Sequence, residues 1–101
     1  MARKGLLESN QRKKNLVTAH AKQRKELKSR IMDRANSVED RFEASLKLAK
    51  IPRSSSKVRV RNRCAETGRA RGVYRFCGLS RIVLRQMAVH AFLPGVRRSS
   101  W

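Results

Sequence analysis

The residues best suited to chemistry lie in the segment RNRCAETGRARGVYRFCGLSRIVLR, residues 61–85. Cys64 and Thr67 have the spacing of a zinc knuckle, and Ser80 and Val83 repeat it. A structural zinc needs four nitrogen or sulfur ligands, commonly from two such pairs. Of these four residues only Cys64 is such a ligand. The other possible ligands are out of register: Cys77, His20 and His90. The ligand count therefore predicts no metal, and we expect no other cofactor.

Catalytic chemistry finds no support in the sequence. Seven acidic residues are scattered along the chain, and no Ser, His and Asp occur in a recognisable order. A phosphate-binding loop of the G-x-x-x-x-G-K-[ST] type is also missing. Cys64 and Cys77 are best interpreted as small buried apolar side chains rather than reactive thiols. We therefore predict that the chain is not an enzyme.

The net charge of the chain indicates the kind of partner that it binds. The 101 residues carry 26 Lys and Arg against 7 Asp and Glu, a net charge of +19. Such a chain repels itself until a polyanion neutralises it, and nucleic acid is the first candidate because fixed cations displace the counterions of a phosphate backbone. No apolar run approaches the ~20 residues that span a bilayer, and residues 1–14 lack the apolar core of a secretory signal. We expect an RNA partner, no membrane and no small-molecule substrate.

The second half of the chain should carry the RNA-binding site. Residues 53–101 hold 12 basic residues, of which 11 are arginine, and one acidic residue, Glu66. Arginine forks bind phosphate in a bidentate manner, and glycines let the backbone approach closely. Tyr74 and Phe76 either stack on bases or pack in a core. The predicted RNA-binding residues are Arg53, Arg59, Arg61, Arg63, Arg69, Arg71, Arg75, Arg81, Arg85, Arg97, Arg98, Gly68, Gly72 and Trp101.

Two helices are expected before this site. Residues 4–34 lack proline and are rich in helix formers, but they are too polar for a core of their own, so this arm should lie along a partner. A second helix should begin after Ser37, which has two acidic residues close behind it, and should end at Pro52. Phe42, Leu46 and Ala49 would form its apolar stripe. We expect Phe42 and Leu46 to be buried against a neighbour or the C-terminal unit.

The following segments are predicted to be less regular. Ser54–Ser56 suggests a linker or a turn that faces phosphate, and the alternating KVRVRNR of residues 57–63 suggests extended backbone. A third helix should run over residues 80–90, capped by Ser80 and ended by Pro94–Gly95. Its apolar stripe would be Ile82, Val83, Leu84, Met87 and Ala88. The fold class is thus mainly α with irregular, extended segments and little independent core: a helical extension (1–52) and a compact unit (53–101).

The motifs together carry a family resemblance. RNRC-x-x-TGR-x-RG-x-Y-R, GLSRI-x-LR-x-x-A and the terminal LPGV-x-x-SSW resemble the bacterial and organellar ribosomal small-subunit protein fourteen over residues 52–101. The N-terminal half is similar in length and character. In the shorter form of that family, RC-x-x-CGR and LCRIC are two zinc knuckles. The resemblance therefore implies the longer form, with a zinc-ribbon-like unit that lacks the metal.

The resemblance also implies a role and partners. Such proteins bind the 3′ major domain of small-subunit rRNA in the head and help assemble and shape the region near the aminoacyl-tRNA (A) site. Their neighbours are small-subunit proteins three, ten and nineteen. The location would be a ribosome in the cytoplasm, a plastid or a mitochondrion. Two rivals remain: an RNA chaperone without a fixed site, and a zinc-binding regulatory module.

Overall fold

A computed structural model describes residues 1–97 and 99. Within them the chain is mainly helical, as the sequence predicts, and it also contains one two-stranded antiparallel sheet that was not predicted. The elements are α1 (Lys4–Met32), α2 (Val38–Lys50), two 3₁₀ turns (Arg53–Ser55 and Lys57–Arg59), β1 (Val73–Tyr74), β2 (Leu79–Ser80) and α3 (Arg81–Val89). Backbone contacts divide the chain into two compact units. We call Glu8–Val60 the helical unit and Met1–Leu7 with Arg61 onwards the arginine-rich unit.

The turn between α1 and α2 is held by side chains that satisfy helix ends. Asn36 Nδ2 donates to the Arg30 carbonyl at 3.2 Å, and Arg41 Nε donates to the Ile31 carbonyl at 2.9 Å. Both carbonyls belong to the last turn of α1, where no intrahelical donor is available. Ser37 is the N-cap of α2, as predicted, and its Oγ accepts from the Asp40 N–H at 3.2 Å. These bonds fix the rotation of α2.

The helical unit has a small apolar core, but the predicted stripe of α2 does not enter it. Leu27, Ala44 and Ile51 are buried, whereas Phe42 is 64% exposed and Leu46 is 49% exposed. Phe42 and Leu46 are therefore not buried within this chain, and their burial against a neighbour stays a prediction. The small Ala44 side chain is the one that packs with Leu27 of α1, and the rotation set by the Ser37 cap leaves the larger side chains outside.

The serine segment after α2 also differs from the prediction. Ser55 is only 2% exposed. Its hydroxyl donates to the Pro52 carbonyl and accepts from Arg24 Nη1 at 3.2 Å, so it packs inward instead of facing a phosphate. Residues 57–59, expected to be extended, form a 3₁₀ turn closed by the Val60 N–H on the Lys57 carbonyl at 3.2 Å.

The arginine-rich unit is built on the short hairpin of β1 and β2. Val73 pairs with Ser80, and Tyr74 pairs with Leu79. The connecting turn closes where the Gly78 N–H donates to the Tyr74 carbonyl at 2.8 Å. Cys64, Leu79 and Val83 form the buried centre of the unit. Partly buried apolar side chains surround them: Val73, Cys77, Leu84, Met87 and Leu93.

Helix α3 begins as predicted, since the Ser80 hydroxyl accepts from the Val83 N–H at 3.4 Å. Its apolar stripe is only partly correct. Val83 is buried, but Ile82 is 46% exposed.

The predicted span of α3, residues 80–90, agrees with the structure, but Pro94–Gly95 is not the signal that ends the helix. The helix stops at Val89, because Ala91 adopts a left-handed conformation with φ of +57°. The Phe92 N–H then bonds the Met87 carbonyl at 3.0 Å, and the Ala91 N–H bonds the Ala88 carbonyl at 3.3 Å. This pair of bonds is a Schellman motif, which normally uses glycine at the left-handed position. An alanine there gave no sequence signal.

Candidate nucleic-acid interface

Four residues with knuckle spacing converge in the arginine-rich unit. We call Cys64, Thr67, Ser80 and Val83 the knuckle positions. Cys64 and Val83 belong to one buried cluster, and Ser80 is only 1% exposed. The Thr67 hydroxyl is also buried. The fold thus brings together the four positions at which the sequence shows ligand spacing.

The sulfur of Cys64 lies within a group of hydrogen-bond donors. Burial raises the pKa of the Cys64 thiol, but hydrogen bonds from the side chain and backbone of Thr67 and from the backbones of Ser80 and Glu66 outweigh it. The resulting pKa is about 6, against an ordinary value of 9.0. Donors of this kind favour the charged thiolate.

The knuckle positions do not fit a zinc ion. They offer one thiol, two hydroxyls and the apolar side chain of Val83, whereas a structural zinc site uses four nitrogen or sulfur ligands. Within residues 1–97 and 99, no three His, Cys, Asp or Glu side chains are grouped so that they could hold a metal. Hydrogen bonds and small-residue packing occupy this centre.

The loop between Cys64 and Arg69 is closed by its own backbone. The Cys64 N–H donates to the Arg69 carbonyl, and the Gly68 N–H donates to the Cys64 carbonyl, both at 2.9 Å. Arg63 is half-buried, and its Nη1 donates to the Gly68 carbonyl at 3.0 Å. This arginine therefore supports the loop from within the unit, and its predicted contact with RNA stays a prediction.

Residues from the N-terminus pack over this loop. The Ala2 N–H donates to the Thr67 carbonyl at 2.9 Å. Gly68 has a φ of +68°, and a Cβ placed on it would lie 2.7 Å from Leu7 Cδ2 and 2.9 Å from Ala2 Cβ. A side chain does not fit there, so glycine is required for the close approach as well as for the backbone conformation. Nothing in the sequence pattern indicated that residues 2–7 contact this loop.

Most of the predicted arginines are exposed. Arg53 and Arg59 lie in the helical unit, and the others lie in the arginine-rich unit. Of the described members, Arg61 has an interaction within the chain, and none of the rest forms an ion pair. Arg98 and Trp101 lie outside the described part of the chain. The exposed members are Arg53, Arg59, Arg61, Arg69, Arg71, Arg75, Arg81, Arg85 and Arg97.

The two aromatic residues of the hairpin are not core residues. Tyr74 is 46% exposed and Phe76 is 74% exposed, with ring centroids 6.0 Å apart. Of the two interpretations left open by the sequence, packing in a core is therefore excluded. Both rings are accessible to a partner.

Comparison with known proteins identifies the family. The family model for "Ribosomal protein S14p/S29e" matches residues 47–100. Over all 101 residues, covering both proteins completely, the chain is 46% identical to the small ribosomal subunit protein uS14 of Xanthobacter autotrophicus and 48% identical to those of Brucella anthropi and Brucella ovis. The chain belongs to the ribosomal protein S14p/S29e family. The resemblance inferred from the motifs is thereby confirmed.

Membership in the S14p/S29e family makes this chain a structural component of the ribosome and not an enzyme. The matched range contains all four knuckle positions and every predicted arginine. Within the described residues, no helix is both long enough and apolar enough to cross a membrane.

Proposed function

We propose that this S14p/S29e protein is a structural constituent of the small ribosomal subunit that binds the 3′ major domain of its rRNA in the head. There it would help assemble and shape the region near the A site. The observation that carries this proposal is the distribution of charge on the arginine-rich unit. Its exposed arginines face solvent around a small core, and Glu66 is the only acidic residue after residue 52. Such a surface suits a phosphate backbone.

The arginine-rich unit acts as the clamp in this proposal. Its hairpin, the closed loop at Gly68 and α3 present guanidinium groups from a fixed frame, as in a zinc-ribbon-like unit that works without the metal. We keep the predicted division of the chain at residue 52, with the arm of residues 1–35 lying between RNA and proteins. Gly72 has a positive φ and is exposed, so its backbone would lie close to a bound phosphate, whereas Gly68 is buried beneath Ala2 and Leu7.

Protein neighbours would contact a different surface, on α2. Val38 is 78% exposed, and together with Phe42 and Leu46 it forms an apolar stripe on the helix. Glu39 and Glu43 lie on the same helix, in a chain that is otherwise strongly basic. An apolar stripe beside carboxylates suits a basic protein surface better than RNA. Small-subunit proteins three, ten and nineteen are the neighbours that the family resemblance implies.

The first test is sedimentation of a cell lysate at high and low magnesium, with detection of this protein in the fractions. We expect it to travel with the small subunit and to stay there after the subunits separate. The bacterial relatives favour a cytoplasmic ribosome over an organellar one. A protein that stays at the top of the gradient, or spreads over all RNA, would support the rival RNA chaperone without a fixed site.

Individual arginines can be tested by rRNA affinity. Replacing Arg69 or Arg71 with alanine should weaken binding by about 1–3 kcal/mol each if the fork is bidentate to phosphate. Arg69→Lys keeps the charge without the fork, so it should lose part of that affinity. Unchanged affinity in both alanine variants would remove these residues from the interface.

A further inference from the structure

The arginine-rich unit contains a cleft to which the family assigns no ligand. It has a volume of about 630 Å³, within the ~300–1,000 Å³ typical of small-ligand sites. Tyr74 lies on its wall, together with the side chains of Arg81, Arg85 and Arg97. Apolar side chains complete the lining, among them Ile82 and Val96.

The cleft residues are held by regular structure. Tyr74 is fixed by pairing with Leu79 in the hairpin, and α3 starts immediately after β2. Arg81 and Arg85 are four residues apart on α3, so they project from the same face. The stem of Arg81 runs along Gly72, where an added Cβ would lie 3.4 Å from Arg81 Cδ. A ring and two guanidinium groups are therefore presented together before any ligand binds.

The positive charge of the cleft favours an anionic ligand. Its three arginines have no carboxylate partner among the described residues, and Glu66 is not part of the lining. Like charges four residues apart on a helix repel each other. A bound phosphate would relieve this repulsion, because each guanidinium can donate two hydrogen bonds to it.

The exposed ring and the apolar lining favour a ligand that has an aromatic part as well as a phosphate. A nucleotide combines both requirements, since its base has a π-face for Tyr74 and its phosphate suits the arginines. Bases within an RNA double helix are stacked on each other and cannot reach such a ring, whereas unpaired bases can. We propose that this cleft binds one unpaired nucleotide of RNA, with the base stacked on Tyr74 and the backbone phosphates held by Arg81, Arg85 and Arg97. The assignment rests on the proposed function in rRNA binding.

The test compares two RNA oligomers of equal length with the full-length chain. One is oligouridylate, and the other is the same ribose-phosphate backbone without bases. At raised salt, where phosphate attraction is weakened, the unaltered chain should bind oligouridylate about 5- to 150-fold more tightly, the range measured for stacking one base. Tyr74→Ala should remove most of this preference, and Tyr74→Phe should keep it.

Phe76→Ala is the matched control, because Phe76 is a neighbouring exposed ring that does not line the cleft. It should leave the preference unchanged. Arg85→Ala should weaken binding of both oligomers by the same factor. Equal binding of the two oligomers by the unaltered chain would overturn the proposal. So would a loss in Phe76→Ala as large as that in Tyr74→Ala, or a loss in Tyr74→Phe.

Failure of this assignment differs from failure of the proposed function. A chain that sediments with the small subunit but shows no preference for bases keeps its ribosomal role and loses the nucleotide cleft. A chain that prefers bases through Tyr74 but does not sediment with the subunit keeps the cleft and loses the ribosomal role. Tyr74 is exposed, so its truncation leaves the buried cluster of Cys64, Leu79 and Val83 intact.

Discussion

Packing of the N-terminal residues on the Thr67–Gly68 loop gives a sharp prediction for Gly68→Ala. Gly68 has a φ of +68°, and a left-handed conformation costs about 1–2 kcal/mol for a residue with a Cβ. The new Cβ would also lie 2.7 Å from Leu7 Cδ2 and 2.9 Å from Ala2 Cβ, well inside the ~3.5–4.0 Å of an ordinary carbon contact.

The second part of the cost depends on what can move. Leu7 is 41% exposed and its end can turn away, but moving Ala2 breaks its hydrogen bond to the Thr67 carbonyl. Overpacking typically costs about 1–3 kcal/mol, and for this contact we use the lower part of that range, about 1–2 kcal/mol. Together with the backbone strain, Gly68→Ala should destabilise this loop by about 2–4 kcal/mol.

Gly78→Ala is the matched control. Gly78 also has a φ of +68°, but no atom lies within 4 Å of an added Cβ. Gly78→Ala should therefore be destabilised only by the backbone strain, by about 1–2 kcal/mol. The difference between the two variants measures the contact with Ala2 and Leu7.

Cys64 offers the assay, because it is buried next to this loop and is only 2% exposed. In a Cys77→Ser background it is the only thiol, and its rate of reaction with a thiol reagent follows local opening. Since 1.4 kcal/mol is a factor of ten, Gly68→Ala should react about 30- to 700-fold faster and Gly78→Ala about 5- to 30-fold faster. Adding Leu7→Ala to Gly68→Ala should slow the reaction again. Equal rates in the two glycine variants would refute the proposed packing of the N-terminal residues.

Three further predictions concern other parts of the same unit. Ala91→Gly relieves the left-handed strain at the end of α3 and should stabilise the chain by about 0.5–1 kcal/mol in urea unfolding; an unchanged or lower midpoint would contradict the Schellman assignment. Because the pKa of Cys64 is lowered to about 6 in the folded chain, the thiolate should stabilise the fold above pH 9 and lose this contribution as the pH falls through 6. Cys64→Ser should show no such dependence, and parallel pH profiles of unfolding for the two chains would disprove it. Replacing the three other knuckle positions with cysteine should create a site that retains one zinc in elemental analysis while the unaltered chain retains none; a variant that binds no zinc would show that the positions do not converge in tetrahedral geometry.

Local signals in the sequence were sufficient to predict the three helices. The helix formers and the absence of proline in residues 4–34 predicted α1. Ser37 and Ser80 marked the starts of α2 and α3, because a hydroxyl at an N-cap accepts a hydrogen bond from a free backbone N–H a few residues away. The imbalance of charge and the motifs up to the terminal SSW predicted the partner class and the family. These properties depend on composition and on near neighbours along the chain.

Other features were decided only by tertiary contacts. Helical spacing on α2 was compatible with an apolar stripe through Phe42 and Leu46, and the bonds from Ser37 and Arg41 turned Ala44 inward instead. The left-handed Ala91, and not Pro94–Gly95, ended α3, against the preference of alanine for helix.

The contacts that define the candidate site join residues far apart in the sequence. Ala2 and Leu7 reach the loop at Gly68, and Tyr74 meets Arg97 across one cleft. The sequence by itself determined which residues form helices, which charge they carry and which family they belong to. The tertiary structure alone decided which faces are buried and which side chains share a site, because those outcomes depend on packing between segments that no local pattern records.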